Sequence, residues 1–173
     1  MSFDRRFRLF RLSGAIALIA CGGLLAACQV RPLYSDSNGV QQSLGSVGYS
    51  DARDRVEQVV RNKLVFLTGG GAGEPAKPDY EVDLKVTSKR IAVLLEQSSD
   101  TPRAGRIIVS ADYTLRRVSD GDVLKAGHRS SVALVDYSEQ EFAKIRSIRD
   151  AENRAAAELA ELIRADLAMA LGR

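Results

Sequence analysis

The chain has no tryptophan, one histidine and two cysteines in 173 residues, and these shortages exclude much chemistry. A lone histidine, His128, leaves no partners for a catalytic triad and nothing from which to build a zinc site. Its setting beside Gly127 and Arg129 in a predicted strand reads as a surface or edge position. Both cysteines, Cys21 and Cys28, lie in or at the end of one N-terminal apolar run, so the sequence after that run cannot close an internal disulfide. Carboxylates such as Asp120 and Asp122 sit in a predicted turn, where aspartate is expected for backbone bonding rather than acid–base work. A charge excess is missing too. The net +3 of the whole chain resides in residues 1–27, which hold four arginines and Asp4, and the remainder balances 21 basic against 21 acidic side chains. No global field draws nucleic acid, and the composition predicts a protein that is not an enzyme.

What is present begins with an address. Arg5, Arg6, Arg8 and Arg11 precede an apolar run from Leu12 to Ala27, which ends in Leu25-Ala26-Ala27-Cys28. A branched apolar residue, two small residues and a cysteine form a bacterial lipobox. The run is short and ends at a small-residue cleavage site, which marks a secretory signal rather than an uncleaved spanning anchor. Leu18-Ile19-Ala20-Cys21 offers a second lipobox, but cutting there would leave Gly22 to Ala27 as an apolar flap. Cys28 is therefore the predicted lipidation site, with covalent diacylglycerol and an N-acyl chain such as palmitate as its only added group. Two signals of this kind make a stable anchor, since each buried methylene contributes about 0.8 kcal/mol. The next residue, Gln29, is not the aspartate that signals inner-membrane retention, which points to the outer membrane.

Residues 1–27 are thus a signal peptide, 28–42 a lipidated tether and 43–173 one domain, a length sufficient to bury a core. Leu44, Val47 and Tyr49 suggest a short first strand. With Ser50 or Asp51 as N-cap, Ala52, Val56, Val59, Val60, Leu64 and Leu67 recur at helical spacing. The glycines after Thr68 lack a following Gly-Lys-Ser/Thr, so they read as a linker rather than a phosphate loop. Tyr80, Val82, Leu84 and Val86 alternate with polar residues as a strand with one wet face. Ile91, Val93 and Leu95 take the opposite parity, which a bulge near Ser88–Arg90 would reconcile. A polar loop from Gln97 to Gly105 follows. Ile107, Val109, Ala111, Tyr113 and Leu115 then face inward, Asp120-Gly121 marks a hairpin turn, and a fourth strand turns Leu124, Ala126, Val132 and Leu134 inward. Ser138 and Glu141 form a capping box before a long helix whose stripe is Phe142, Ile145, Ile148, Ala155, Leu159, Leu162, Ile163, Leu167 and Leu171. The order β-α-β-β-β-α predicts an α+β two-layer sandwich: a roughly four-stranded mixed, mainly antiparallel sheet with two helices on one face. Strand one can join the sheet in parallel through a crossover.

Lys89 and Arg90 at the end of strand two, with Arg103 and Arg106 across the next loop, gather four cations at one sheet tip. Arginine forks match phosphate oxygens, so this tip is a candidate site for an anionic lipid head group, against the alternative of a solvated charge cluster.

The segment Cys28-Gln29-Val30-Arg31-Pro32-Leu33-Tyr34 resembles the start of mature LptE-type lipopolysaccharide-assembly lipoproteins, especially the alphaproteobacterial branch, and the element order over residues 28–173 is similar to theirs. That family commonly has Gly and an aromatic after the cysteine, where this chain has Gln29 and Val30. The resemblance implies a non-enzymatic outer-membrane lipoprotein on the periplasmic face. Its partners would be an LptD-type β-barrel, which it plugs and helps to assemble, and lipopolysaccharide during export. Alternatives are an accessory lipoprotein of an ABC-type lipid or solute transporter, and a periplasmic hydrolase built on carboxylates.

Overall fold

The computed structural model describes residues 39–95 and 102–172. The signal peptide, Cys28, the tether up to residue 38 and loop residues 96–101 lie outside the described residues. The elements are α1 (Val40–Gly45), β1 (Val47–Tyr49), α2 (Arg55–Gly69), β2 (Tyr80–Leu95), β3 (Pro102–Arg117), β4 (Val123–Asp136) and α3 (Glu141–Leu171). They form the expected α+β arrangement with one added helix. The sheet order is β1-β2-β3-β4, with β1 parallel to β2 and the other pairs antiparallel.

The added helix, α1, begins inside the stretch read as tether. Val40 and Leu44, one helical turn apart, are both buried, so their shared face binds them to the core. Leu44 is therefore helical and does not belong to the first strand, which is only Val47–Tyr49 and buried throughout. Helix α2 starts later than the apolar spacing suggests. Asp54 is its N-cap, accepting from the Glu57 amide at 2.9 Å, and it ends where Gly70 turns left-handed at φ 59°. The loop beyond is tied back: Glu74 accepts from the Tyr49 amide at 2.7 Å and from Arg61 at 2.6 Å.

Strand β2 needs no bulge at Ser88–Arg90. Its register with β3 runs unbroken from Tyr80 opposite Arg117 to Ala92 opposite Gly105, and irregularities come only between Ala92 and Leu95. The parity change has another cause: the helix side of β2 passes from Val82, Leu84 and Val86 to Arg90, which finds a carboxylate there, while Ile91 turns to the other face. The β3–β4 turn forms as the Asp-Gly signal requires, with Gly121 at φ 77° and the Asp122 amide donating to the Asp120 side chain at 3.0 Å.

Two inward assignments are corrected. On β4, Val132 and Leu134 are 49% and 71% exposed, while Ser131, Ala133 and Val135 are buried. The register decides this, because those three stand opposite Val109, Ile107 and Gly105 on the inward row of β3. On α3, Phe142, Ile145 and Leu162 are exposed, and the buried stripe instead runs through Ile148, Ala151, Ala155, Ala156, Leu159, Ala160, Ile163, Leu167 and Ala168. Small side chains in that stripe let α3 lie close to its neighbours. The helix starts at Glu141 with Gln140 as N-cap and no side-chain cap. Ser138 accepts instead from the Gln140 amide at 3.2 Å, so the capping box does not form.

Candidate functional site

Both long helices lie on one side of the sheet, and the residues of β2, β3 and β4 that point to the other side form a face bare of cover among the described residues. Its rows follow from the register. Ile91, Arg106 and Leu134 stand side by side, then Lys89, Ile108 and Val132, then Thr87, Ser110 and Ser130, then Lys85, Asp112 and His128. The first two rows are apolar apart from their cations; the next two are polar. Lys89 and Arg106 are diagonal neighbours, about 7–8 Å apart at the backbone, close enough for both to reach one phosphate.

The four cations therefore divide. Lys89 and Arg106 share the bare face with Ile91, Ile108, Val132 and Leu134. Arg90 points to the helix side, where its guanidinium lies 3.0 Å from Glu152 of α3. Glu152 is only 5% exposed and also takes Arg55 of α2, whose other nitrogen donates to Asn153 at 2.8 Å. This carboxylate thus joins α2, β2 and α3. Arg103 pairs with Glu139 at 3.6 Å. At the opposite end of the hairpin Arg117 is engaged by Asp120 at 2.6 Å. The Asp122 amide and then Arg117 hold the Asp120 carboxyl below its ordinary range.

His128 lies on the bare face with Nδ1 2.8 Å from Asp112 Oδ1, both exposed, in keeping with a surface position on an edge strand. Sequence periodicity missed a second polar cluster, on the helix side. Asp166 of α3, 2% exposed, accepts two bonds from Arg129 at 2.6 and 2.7 Å and a third from the Tyr113 hydroxyl. Hydrogen bonding from Arg129 draws the Asp166 carboxyl down, against burial, which pushes it up. Burial, and then the bond to Asp166, push the Tyr113 phenol well above its ordinary value. Tyr113 fits because its β4 partner is Gly127, and any Cβ there would collide with the ring. A glycine opposite a tyrosine within a hairpin was the readable signal.

The fold is a small α+β domain with one helix-covered sheet face and one left bare among the described residues. The family model "LptE: Lipopolysaccharide-assembly" matches residues 43–167, and the chain belongs to that family. A search of curated proteins finds no match. Among solved structures, a protein described as a lipoprotein of Caulobacter crescentus CB15 is 26% identical at a TM-score of 0.65, covering 77% of this chain and 96% of its own. A minor lipoprotein of Acinetobacter baumannii is similar at TM-score 0.50 and 12% identity, covering 71% of this chain and 88% of its own. Rare lipoprotein B of Shewanella oneidensis, at TM-score 0.50 and 14% identity, covers 71% and 92%. The last two likenesses are of fold.

Proposed function

We propose that the chain is a non-enzymatic outer-membrane lipoprotein, anchored through acyl chains on Cys28 to the periplasmic face. There it forms a plug-and-barrel complex with an LptD-type β-barrel, assists the barrel's assembly and contacts lipopolysaccharide during export. Family membership supports the setting. The observation that carries the ligand reading is the bare face, where Lys89 and Arg106 stand among Ile91, Ile108, Val132 and Leu134. Cations set in an apolar field suit a phosphorylated, acylated glycolipid: the guanidinium and ammonium engage phosphate, and the apolar rows take acyl chains. Arg90 and Arg103 contribute through their carboxylate partners, as supports of the strand ends.

Two measurements test this. Lipid-anchored chain, recovered from membranes, is expected to bring down a large outer-membrane barrel in about equal amount, and recovery of none counts against the complex. Lys89→Glu with Arg106→Glu is expected to weaken capture of a lipid A-type glycolipid about tenfold or more, since two charge-assisted contacts become repulsions. Undiminished capture by that variant removes the bare face from the reading.

A further inference from the structure

The bare face changes character along its length, from apolar and cationic at Ile91, Arg106 and Leu134 to polar. Thr87, Ser110 and Ser130 set hydroxyls side by side across three strands, about 4.8 Å apart from strand to strand. Lys85, Asp112 and His128 follow, then Asp83, Thr114 and Ala126, then Glu81 beside Arg116. A hollow of about 350 Å³ opens over the Lys85 and Asp83 rows, and Asp83, Lys85, Asp112, Thr114, Ala126 and Gly127 line it. It exists because β4 brings only Ala126 and Gly127 to that level, beside longer side chains on β2 and β3.

Charges of both signs meet around this hollow. Glu81, Asp83 and Asp112 stand among Lys85, Arg116 and His128, the last already 2.8 Å from Asp112. No strong field of one sign results, so neither a phosphate nor a basic segment is drawn there. Thr87, Ser110, Ser130, Asp83, Lys85 and Thr114 hold no side-chain partner among the described residues. Carboxylates accept, an ammonium donates and hydroxyls do both, which is the mixture that the hydroxyls of an uncharged sugar require. The distance also suits a saccharide, because Lys85 lies about 13 Å along β2 from Lys89, a span of a few sugar rings.

We propose that the polar half of the bare face is a saccharide subsite. From phosphate held by Lys89 and Arg106, the uncharged sugars of the glycolipid run across Thr87, Ser110 and Ser130 into the hollow, while its acyl chains lie toward Ile91 and Leu134. The inference rests on the glycolipid reading of this face and adds a direction to it: the ligand lies along the strands in one polarity, acyl chains toward the β2–β3 hairpin end and sugars toward the Asp120-Gly121 turn.

The test measures the affinity of the full chain, in detergent micelles, for two probes: a lipid A-type glycolipid, and the same glycolipid extended by an uncharged chain of glucose units. The extended probe is expected to bind about tenfold tighter, the yield of a few net hydrogen bonds. That ratio should persist in about 0.5 M salt, where exposed charge contacts are screened. Ala126→Leu fills the hollow without altering charge and is expected to bring the ratio close to one, with the shorter probe bound as before within about twofold. Asp83→Ala, which removes one acceptor, should lower the ratio about threefold. Lys89→Glu with Arg106→Glu is expected to weaken both probes alike and keep the ratio. A ratio near one in the parent, a ratio lost in salt, or a ratio untouched by Ala126→Leu overturns the proposal, and the glycolipid reading stands as long as the charge-reversed variant weakens both probes. If that variant weakens neither, the glycolipid reading fails and the subsite with it. Lower recovery of the barrel with Ala126→Leu at an unchanged ratio would make the hollow a protein contact, and overturns the proposal as well.

Discussion

Arg90 and Glu152 meet at 3.0 Å across the boundary between sheet and helix, so a cation that the sequence places at an exposed tip is tied to a buried carboxylate. Its neighbour Lys89 faces the opposite way. Replacing Glu152 with alanine strands Arg90 and Arg55 together. Breaking a buried pair costs several kcal/mol, but both arginines are about half exposed, so the expected loss is about 1–2 kcal/mol. A lower urea midpoint at unchanged slope would register it. Lys89→Glu is expected to leave stability within about 0.5 kcal/mol.

Acid should act through Asp166. Its carboxyl lies below its ordinary value because Arg129 hydrogen-bonds it, so the native state binds this proton less readily than the unfolded chain does. The stability it contributes is complete above the ordinary carboxylate value, near pH 4, and is lost as pH falls from there through the native value. Denaturation midpoints measured from pH 6 downward should therefore fall more steeply in the parent than in Asp166→Asn. Parallel curves would contradict this account.

Gly127 and Tyr113 are expected to be strongly coupled. Gly127→Ala forces a methyl group into the ring and should cost about 1–3 kcal/mol. In a Tyr113→Ala background that obstacle is gone, and the same change should be nearly neutral or favourable in a strand. A double-mutant cycle measures the difference, and additive effects would place the ring elsewhere.

Leu134 is 71% exposed on the bare face, so Leu134→Ser is expected to leave stability within about 0.5 kcal/mol. Capture of an acylated glycolipid should weaken all the same, read against Lys89→Glu in the same binding assay.

The α+β class and the meander of the long strands were legible because period-two alternation on β2 and β3 and the Asp120-Gly121 turn each point to antiparallel pairing. Val132 and Leu134 were misplaced because β4 is a mostly exposed edge strand, where both parities carry apolar residues and only register against β3 separates them. Helix α1 was hidden by its length, since its six residues give one apolar i,i+4 pair, Val40 and Leu44, and no sustained period. Half of the cationic tip survives as one surface. Alternation puts Lys89 and Arg106 together and turns Arg90 and Arg103 to the other side, a division that follows once the hairpin register is known. Asp166 and Glu152 were invisible as core residues, because a charged side chain in an apolar stripe looks like an interruption until its arginine partner is found in another element.

Helix α3 runs 31 residues, roughly 46 Å, and finishes where it began to be needed: Gly172 lies against Val40 of α1. The described chain thus enters and leaves the sandwich at one end, while the β2–β3 hairpin closes at the other. Whatever precedes Gly39 therefore joins the domain at the end of the sheet remote from Leu95 and Pro102.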